Sequence, residues 1–151
     1  MVKRFVEAWD KNKDKLEEFI KTHKQEEYDS YEELTKLLFD VVINPALKNT
    51  GYYPWGAIFD TDNILEIDDG DYQGTLIYIL HLDTYQPDVS EYVYTSVSYG
   101  SCSGCDTLQA IECRGNYWDE LPDKRQVEDY MELCLHLLQN CHMMKEYEDH
   151  D

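Results

Sequence analysis

Thr75-Leu-Ile-Tyr-Ile-Leu-His-Leu82 and Glu91-Tyr-Val-Tyr-Thr-Ser-Val-Ser-Tyr99 decide the class of the fold. The first is a short apolar run rich in β-branched residues. In the second, Tyr92, Tyr94, Ser96 and Ser98 alternate with Val93, Thr95, Val97 and Tyr99, the period of two that sends successive side chains to opposite faces of a sheet. A third, shorter run, Asn63 to Asp68, precedes them. The links are Asp68-Asp-Gly-Asp-Tyr-Gln-Gly74 and Thr84 to Ser90, the latter containing Pro87. Neither is long enough to hold a crossover helix, so the spacing predicts a three-stranded antiparallel meander.

Working outward, helices flank these strands on both sides. Val2, Phe5, Val6, Trp9, Leu16, Phe19 and Ile20 recur at helical spacing. After a break at Lys24 to Asp29, Ser30 and Glu33 form a capping-box signature for a second helix, in which Leu34, Leu37, Leu38, Val41 and Val42 continue an apolar face up to Asn44-Pro45. Asn49 to Gly56 is turn chemistry laced with aromatics. Gly100-Ser-Cys-Ser-Gly-Cys-Asp-Thr107 is a turn opening a short helix to about Cys113, and Arg114 to Pro122 is irregular. Asp123 with Gln126 caps a last helix whose apolar stripe is Val127, Tyr130, Met131, Cys134, Leu138 and Cys141. The expected architecture is α+β, a three-stranded meander covered by helices in the order ααβββαα, in one domain.

Charge divides that domain unevenly. The chain has 151 residues, 32 acidic and 13 basic side chains, and a formal charge of −19. The helical part, residues 1–48, is nearly balanced at net −2; residues 114–151, with the last helix and an acidic tail at Lys145 to Asp151, carry net −6. Residues 49–113 hold 11 acids and no Lys or Arg, so any face they expose is neutral or negative. Such a balance argues against direct contact with a nucleic-acid backbone or an anionic membrane, both of which need cations. The longest apolar runs fall far short of the roughly 20 residues that span a bilayer. No export signal is visible at the N-terminus, and the five cysteines are expected to be reduced thiols in a cytoplasm.

Three candidate chemistries attach to the central region. The acids Asp60, Asp62, Glu66, Asp68, Asp69 and Asp71 crowd the first strand and its turns. Their spacing does not fit a calcium-binding EF-hand loop, because Ile64 stands where a ligand belongs and no glutamate closes the loop. A solvated acidic hairpin, or a surface for a basic partner, fits better. Tyr72, Gln73, Tyr99, Ser101, Ser103 and Gly104 could line a ligand pocket, with hydroxyls and backbone N–H groups at a helix start and Tyr53, Trp55 or Tyr72 to stack on a base. Cys102 and Cys105 are spaced as a zinc pair or a redox dithiol, with Cys113 the nearest further thiol. Zinc lacks a second compact ligand pair. A thioredoxin fold would need more strands after the helix than the chain has left. No cofactor is otherwise called for, and His23, His81, His136, His142 and His150 form no recognised catalytic motif.

Gly70-Asp-Tyr-Gln-Gly-Thr75 leading into a strand, and Tyr99-Gly-Ser-Cys-Ser-Gly-Cys-Asp-Thr-Leu108 after the next, resemble segments of small tailed-phage proteins of unassigned function. The likeness covers residues around 60–112 and implies a phage product made in the bacterial cytoplasm, without an activity or functional residues to transfer. It also implies a use for the charge, since small acidic phage proteins act by occupying the nucleic-acid-binding surface of a host protein. The expected function is therefore a non-enzymatic inhibitor or decoy, in the manner of a DNA mimic, directed at a basic host nuclease or CRISPR-type effector. A protein that sequesters a signalling nucleotide is the alternative, and a zinc or dithiol protein the third. A homodimer is compatible with the aromatic content.

Overall fold

In the computed structural model, which describes residues 2–145, the apolar spacing of the N-terminal third becomes a helical layer. Residues 146–151 of the acidic tail, with His150, lie outside the described residues. Helix α1 (Lys3–Thr22) buries Phe5, Ala8, Trp9, Leu16 and Ile20 on one stripe. Asn12 sits in the same stripe because its side-chain amide donates to the Val42 carbonyl at 2.9 Å, which satisfies a polar group that would otherwise be costly to bury. Helix α2 (Tyr31–Leu38) starts where the sequence places it, with Ser30 Oγ accepting the Glu33 N–H at 3.1 Å.

The expected stop at Asn44-Pro45 does not occur. The chain widens into a π-helical turn, Phe39–Ile43, and continues as helix α3 (Asn44–Thr50) with Pro45 in its first turn. The Asn44 N–H reaches back to the Phe39 carbonyl. This wider turn absorbs the missing proline N–H at a position where a helix can do without it. Gly51, at φ +62°, ends α3 in the left-handed conformation that glycine adopts without strain.

The sheet is antiparallel, as expected, but among the described residues it has four strands: β1 (Leu65–Asp68), β2 (Gly74–His81), β3 (Tyr92–Tyr99) and β4 (His142–Met143), side by side in chain order. The order ααβββαα is thus corrected twice, by α3 and by β4. Strand β4 follows helices α4 (Thr107–Cys113) and α5 (Lys124–Gln139), and it pairs Met143 with Val93 and His142 with Tyr94. A two-residue strand has no period to read, and Cys141, counted in the helical stripe, lies just beyond α5 though fully buried.

The layers meet on the buried residues Leu76, Tyr78 and Leu80 of β2 and Val93 and Thr95 of β3. Thr95 Oγ1 donates to the Leu137 carbonyl of α5 at 2.6 Å. Phe5, Phe39 and Phe59 pack edge to face in a trio with ring centroids 5.5–6.0 Å apart. Asn44 clamps the Phe59 backbone, donating to its carbonyl at 3.0 Å and accepting its N–H at 2.9 Å. The other sheet face carries Ile77, Ile79, Tyr92 and Tyr94, all partly exposed. Among the described residues no helix is long and apolar enough to cross a membrane.

Candidate acidic interface

Among the described residues strand β1 forms one edge of the sheet and pairs with β2 alone, Glu66 opposite Tyr78 and Asp68 opposite Leu76. Alternation therefore sets Glu66 and Asp68 on the helix side, where both remain exposed. Leu65 and Ile67 point to the other side and are 57 % and 42 % exposed. Four consecutive positions thus offer acid on one side and apolar surface on the other.

The turns extend the acidic strip. Asp69 Oδ1 accepts the Thr75 N–H at 2.7 Å across the hairpin. Gly70 permits that closure, because a Cβ there would lie 2.1 Å from the Gln73 carbonyl oxygen. Asp71, Tyr72 and Gln73 are exposed at the tip. Before β1, Asp60 accepts from the Asp62 N–H at 2.9 Å and the Asn63 amide at 2.8 Å. That Asn63 bond leads the interactions that hold the Asp60 carboxyl below its ordinary pKa. Asp62 and Asp40 share Lys36, with Nζ 3.4 and 3.3 Å away. Of the six acids singled out from the sequence, Asp60 and Asp62 are thus tied into a local turn and ion-pair cluster. Glu66, Asp68, Asp69 and Asp71 have no cation partner among the described ion pairs.

Behind β1 the strip deepens into a cleft of about 370 Å³ that includes Asp29, Glu32, Glu66, Tyr78, Asp106 and Glu112 in its walls. Asp106 is buried and saturated: Tyr31 Oη donates to it at 2.8 Å, as do the N–H groups of Gly100 at 2.9 Å and Gln109 at 3.1 Å. Glu112 has no such donors. Burial, then the charges of Asp29 and Asp106, push its carboxyl up to about 7. Burial, then neighbouring Glu32, raises Glu66 as well. Asp68 moves the opposite way, because Tyr99 Oη donates to it at 2.6 Å and the Gly70 N–H at 3.0 Å. Two carboxylates here are held in the charged form less readily than usual, so a cation placed between them would be welcomed.

No protein-family model matches the chain, and no curated protein or solved structure matches it either.

The other sequence candidates fall in different places. Tyr99 joins the strip through its bond to Asp68 and sits opposite Gly74 in the sheet, so the two motif-bearing turns are neighbours. Of the Tyr99–Thr107 loop, Asp106 lines the cleft behind β1 and Thr107 lines a separate one with Arg114 and His136. Cys102, Cys105 and Cys113 are exposed thiols, and among the described residues no group of three or more His, Cys, Asp or Glu side chains is placed to hold a metal ion. Sequence reasoning missed Asp29, Glu32 and Glu112, which come from α2, α4 and the turn before α2 and meet Glu66 only in space. It also missed a second cleft, of about 440 Å³, between Trp55 and Tyr85 and walled by Asp83, Thr84 and Glu91.

Proposed function

We propose that the chain is an acidic inhibitor or decoy of the kind a tailed phage directs at a host nuclease or CRISPR-type effector, and that it docks through β1 and its flanking turns. The observation that carries this reading is the β1 edge of the sheet, where Glu66, Asp68, Asp69 and Asp71 stand exposed with no cation partner among the described residues' ion pairs while Leu65 and Ile67 offer apolar contact beside them. A rigid row of carboxylates competes for the Lys and Arg that otherwise pair with phosphates, and it speeds encounter by electrostatic steering. Desolvated apolar neighbours supply the slow dissociation that charge alone does not.

The test is capture of host proteins on the immobilised chain at low and high salt, followed by elution with duplex DNA or RNA. A basic nucleic-acid-handling protein is expected, retained at low salt and displaced by nucleic acid. Reversal of the four acids, Glu66→Lys, Asp68→Lys, Asp69→Lys and Asp71→Lys, is expected to abolish its retention. If the reversed protein held the same partner with the same salt dependence, the decoy reading would be wrong.

A second reading, a small-ligand binder, draws support from the Trp55–Tyr85 cleft. Trp55 is 99 % and Tyr85 91 % exposed, and the backbone of Trp55 is held at φ +60°, a costly conformation for a bulky residue. Thr84 Oγ1 is buried in the wall without a hydrogen-bond partner. Two open rings and an unused hydroxyl suit a flat ligand. Asp83 and Glu91 repel phosphate, so an uncharged or cationic ring fits better than the signalling nucleotide expected from the sequence. Thermal stabilisation by a panel of planar heterocycles and nucleotides tests it; no shift with any of them counts against it.

A further inference from the structure

Between β3 and α4 the chain turns tightly on Cys102-Ser-Gly-Cys105, with the Cys105 N–H donating to the Cys102 carbonyl at 3.0 Å. The turn brings the two sulfur atoms to 2.9 Å, both on the exposed surface. The Cys102 N–H also points at Cys105 Sγ, at 3.2 Å. Gly100 makes the approach possible, since a Cβ at that position would lie 2.5 Å from the Cys105 carbonyl oxygen and 2.6 Å from its sulfur. The other three cysteines are placed differently: Cys113 is exposed at the end of α4, and Cys134 and Cys141 are buried.

We infer that Cys102 and Cys105 form a reversible dithiol–disulfide couple that exchanges with small-molecule disulfides of the glutathione class, with Cys105 as the attacking thiol and Cys102 as the resolving one. The inference stands apart from the acidic-interface reading and survives its failure. The assignment of roles follows from the donors. A thiolate at Cys105 accepts from the Cys102 thiol and from the Cys102 N–H, which lower its pKa in that order. An exposed thiolate is the form that attacks.

In the first step Cys105 sulfur bonds to one sulfur of the disulfide, the disulfide's own S–S bond breaks, and the released thiolate takes up a proton. In the second, Cys102 gives its proton to solvent and its sulfur attacks Cys105 sulfur, expelling the remaining small thiol. The two cysteines lose two electrons together, and the disulfide is reduced to two thiols. Closing the bridge fixes the loop that ends at Asp106, in the wall of the acidic cleft.

Equilibrating the full-length protein in glutathione buffers from reducing to oxidising, then quenching, alkylating and mapping peptides by mass, reads the couple directly. The expected result is a paired loss of the Cys102 and Cys105 thiols into one intramolecular bridge, reversed by excess reduced glutathione, while Cys113 gains no bridge to either. Cys102→Ser is expected to trap glutathione on Cys105, and Cys105→Ser to lose the bridge and leave Cys102 no more reactive than Cys113. Both thiols remaining free at the most oxidising buffer, or glutathione persisting on either one in the parent protein without a bridge, would overturn the inference. Trapping on Cys102 in Cys105→Ser at the rate seen on Cys105 in Cys102→Ser would overturn the assignment of roles.

Discussion

Gln126 and Glu66 show two opposite uses of a polar side chain in one small protein. Gln126, in α5, is 1 % exposed and spends its amide on the protein itself. It accepts the N–H groups of Asn116 and Asp123 at 2.9 Å and donates to the carbonyls of Ile111 at 3.0 Å and Asn116 at 3.1 Å. Gln25 joins the same network, accepting from Tyr130 Oη at 2.7 Å and donating to Asn116 and Tyr117 carbonyls at 3.0 Å. Glu66, on the edge strand, faces other acids. Around Gln126 and Gln25 the helical layer and its irregular Arg114–Pro122 cover satisfy one another's polar groups, whereas Glu66, Asp68, Asp69 and Asp71 have no cation partner among the described ion pairs. If the edge is the docking surface proposed above, stability and recognition belong to different regions, and substitutions should separate them.

The largest expected effect lies at the seam that joins the two. Phe59 closes the aromatic trio with Phe5 and Phe39 and is 1 % exposed, and its neighbour Asp60 opens the acidic strip. Phe59→Ala is expected to cost about 3–4 kcal/mol through lost burial and the cavity left behind, read as a lower midpoint in urea unfolding. A cost below about 1 kcal/mol would mean that the seam repacks and that the regions are less coupled than the trio suggests.

That seam also marks where the sequence stopped being legible. The periods of α1, α2, β2 and β3 survive in the sequence because each element buries one face along its whole length. Tertiary context overrides the rest. Pro45 reads as a stop, yet the π-turn before it removes the conflict; His142–Met143 is a strand only because β3 is there to pair with it. The candidate site divides in the same way. Asp68, Asp69 and Asp71 are neighbours in sequence and could be read, whereas Glu32 and Glu112 reach Glu66 through folding and had no local signal. The contact between Cys102 and Cys105 was legible as spacing and became meaningful only as a distance.

Next in size is the network itself. Gln126→Ala leaves the Asn116 and Asp123 N–H groups and the Ile111 carbonyl short of partners and removes half of a capping box. About 2 kcal/mol of stability is expected to go with it. Hydrogen exchange should then show faster opening of the Arg114–Pro122 segment than of β2. Equal acceleration in both would argue that the two regions unfold as one unit and that the contrast is only one of exposure.

A smaller effect of opposite sign is expected at Glu112, which belongs to a helix but faces the acidic cleft. Its carboxyl is raised from 4.5 in the free group to about 7 in the folded protein by burial and by Asp29 and Asp106. The folded state therefore holds the proton more tightly than the unfolded state does. Stability from this group is full below about pH 4.5, declines as pH rises toward 7, and stays reduced above it. Glu112→Gln should remove that decline and raise stability by about 1 kcal/mol at pH 8, a figure discounted for the group's partial exposure. Unfolding curves of parent and variant at pH 5 and pH 8 give the difference. If the variant gained nothing at pH 8, the cleft would already hold a compensating cation or admit enough water to screen the charges.

The smallest expected change in stability belongs to the edge proposed as the docking surface. Glu66→Gln relieves a carboxyl raised by burial and by Glu32, whereas Asp68→Asn weakens one held low by Tyr99 Oη and the Gly70 N–H. A raised acid weighs against folding once it ionises. A depressed one supports folding above its unfolded pKa and loses that support as pH falls through its folded pKa. Combined, the two substitutions act in opposite directions, and the melting temperature of the double variant at pH 7 should stay within about 2 °C of the parent. Partner retention should nevertheless fall and its salt dependence flatten, since two of the four carboxylates without a described cation partner are gone. A variant that melts well below the parent would place structural work on the edge strand, and the division between the buried Gln126–Gln25 network and the proposed docking edge would not hold.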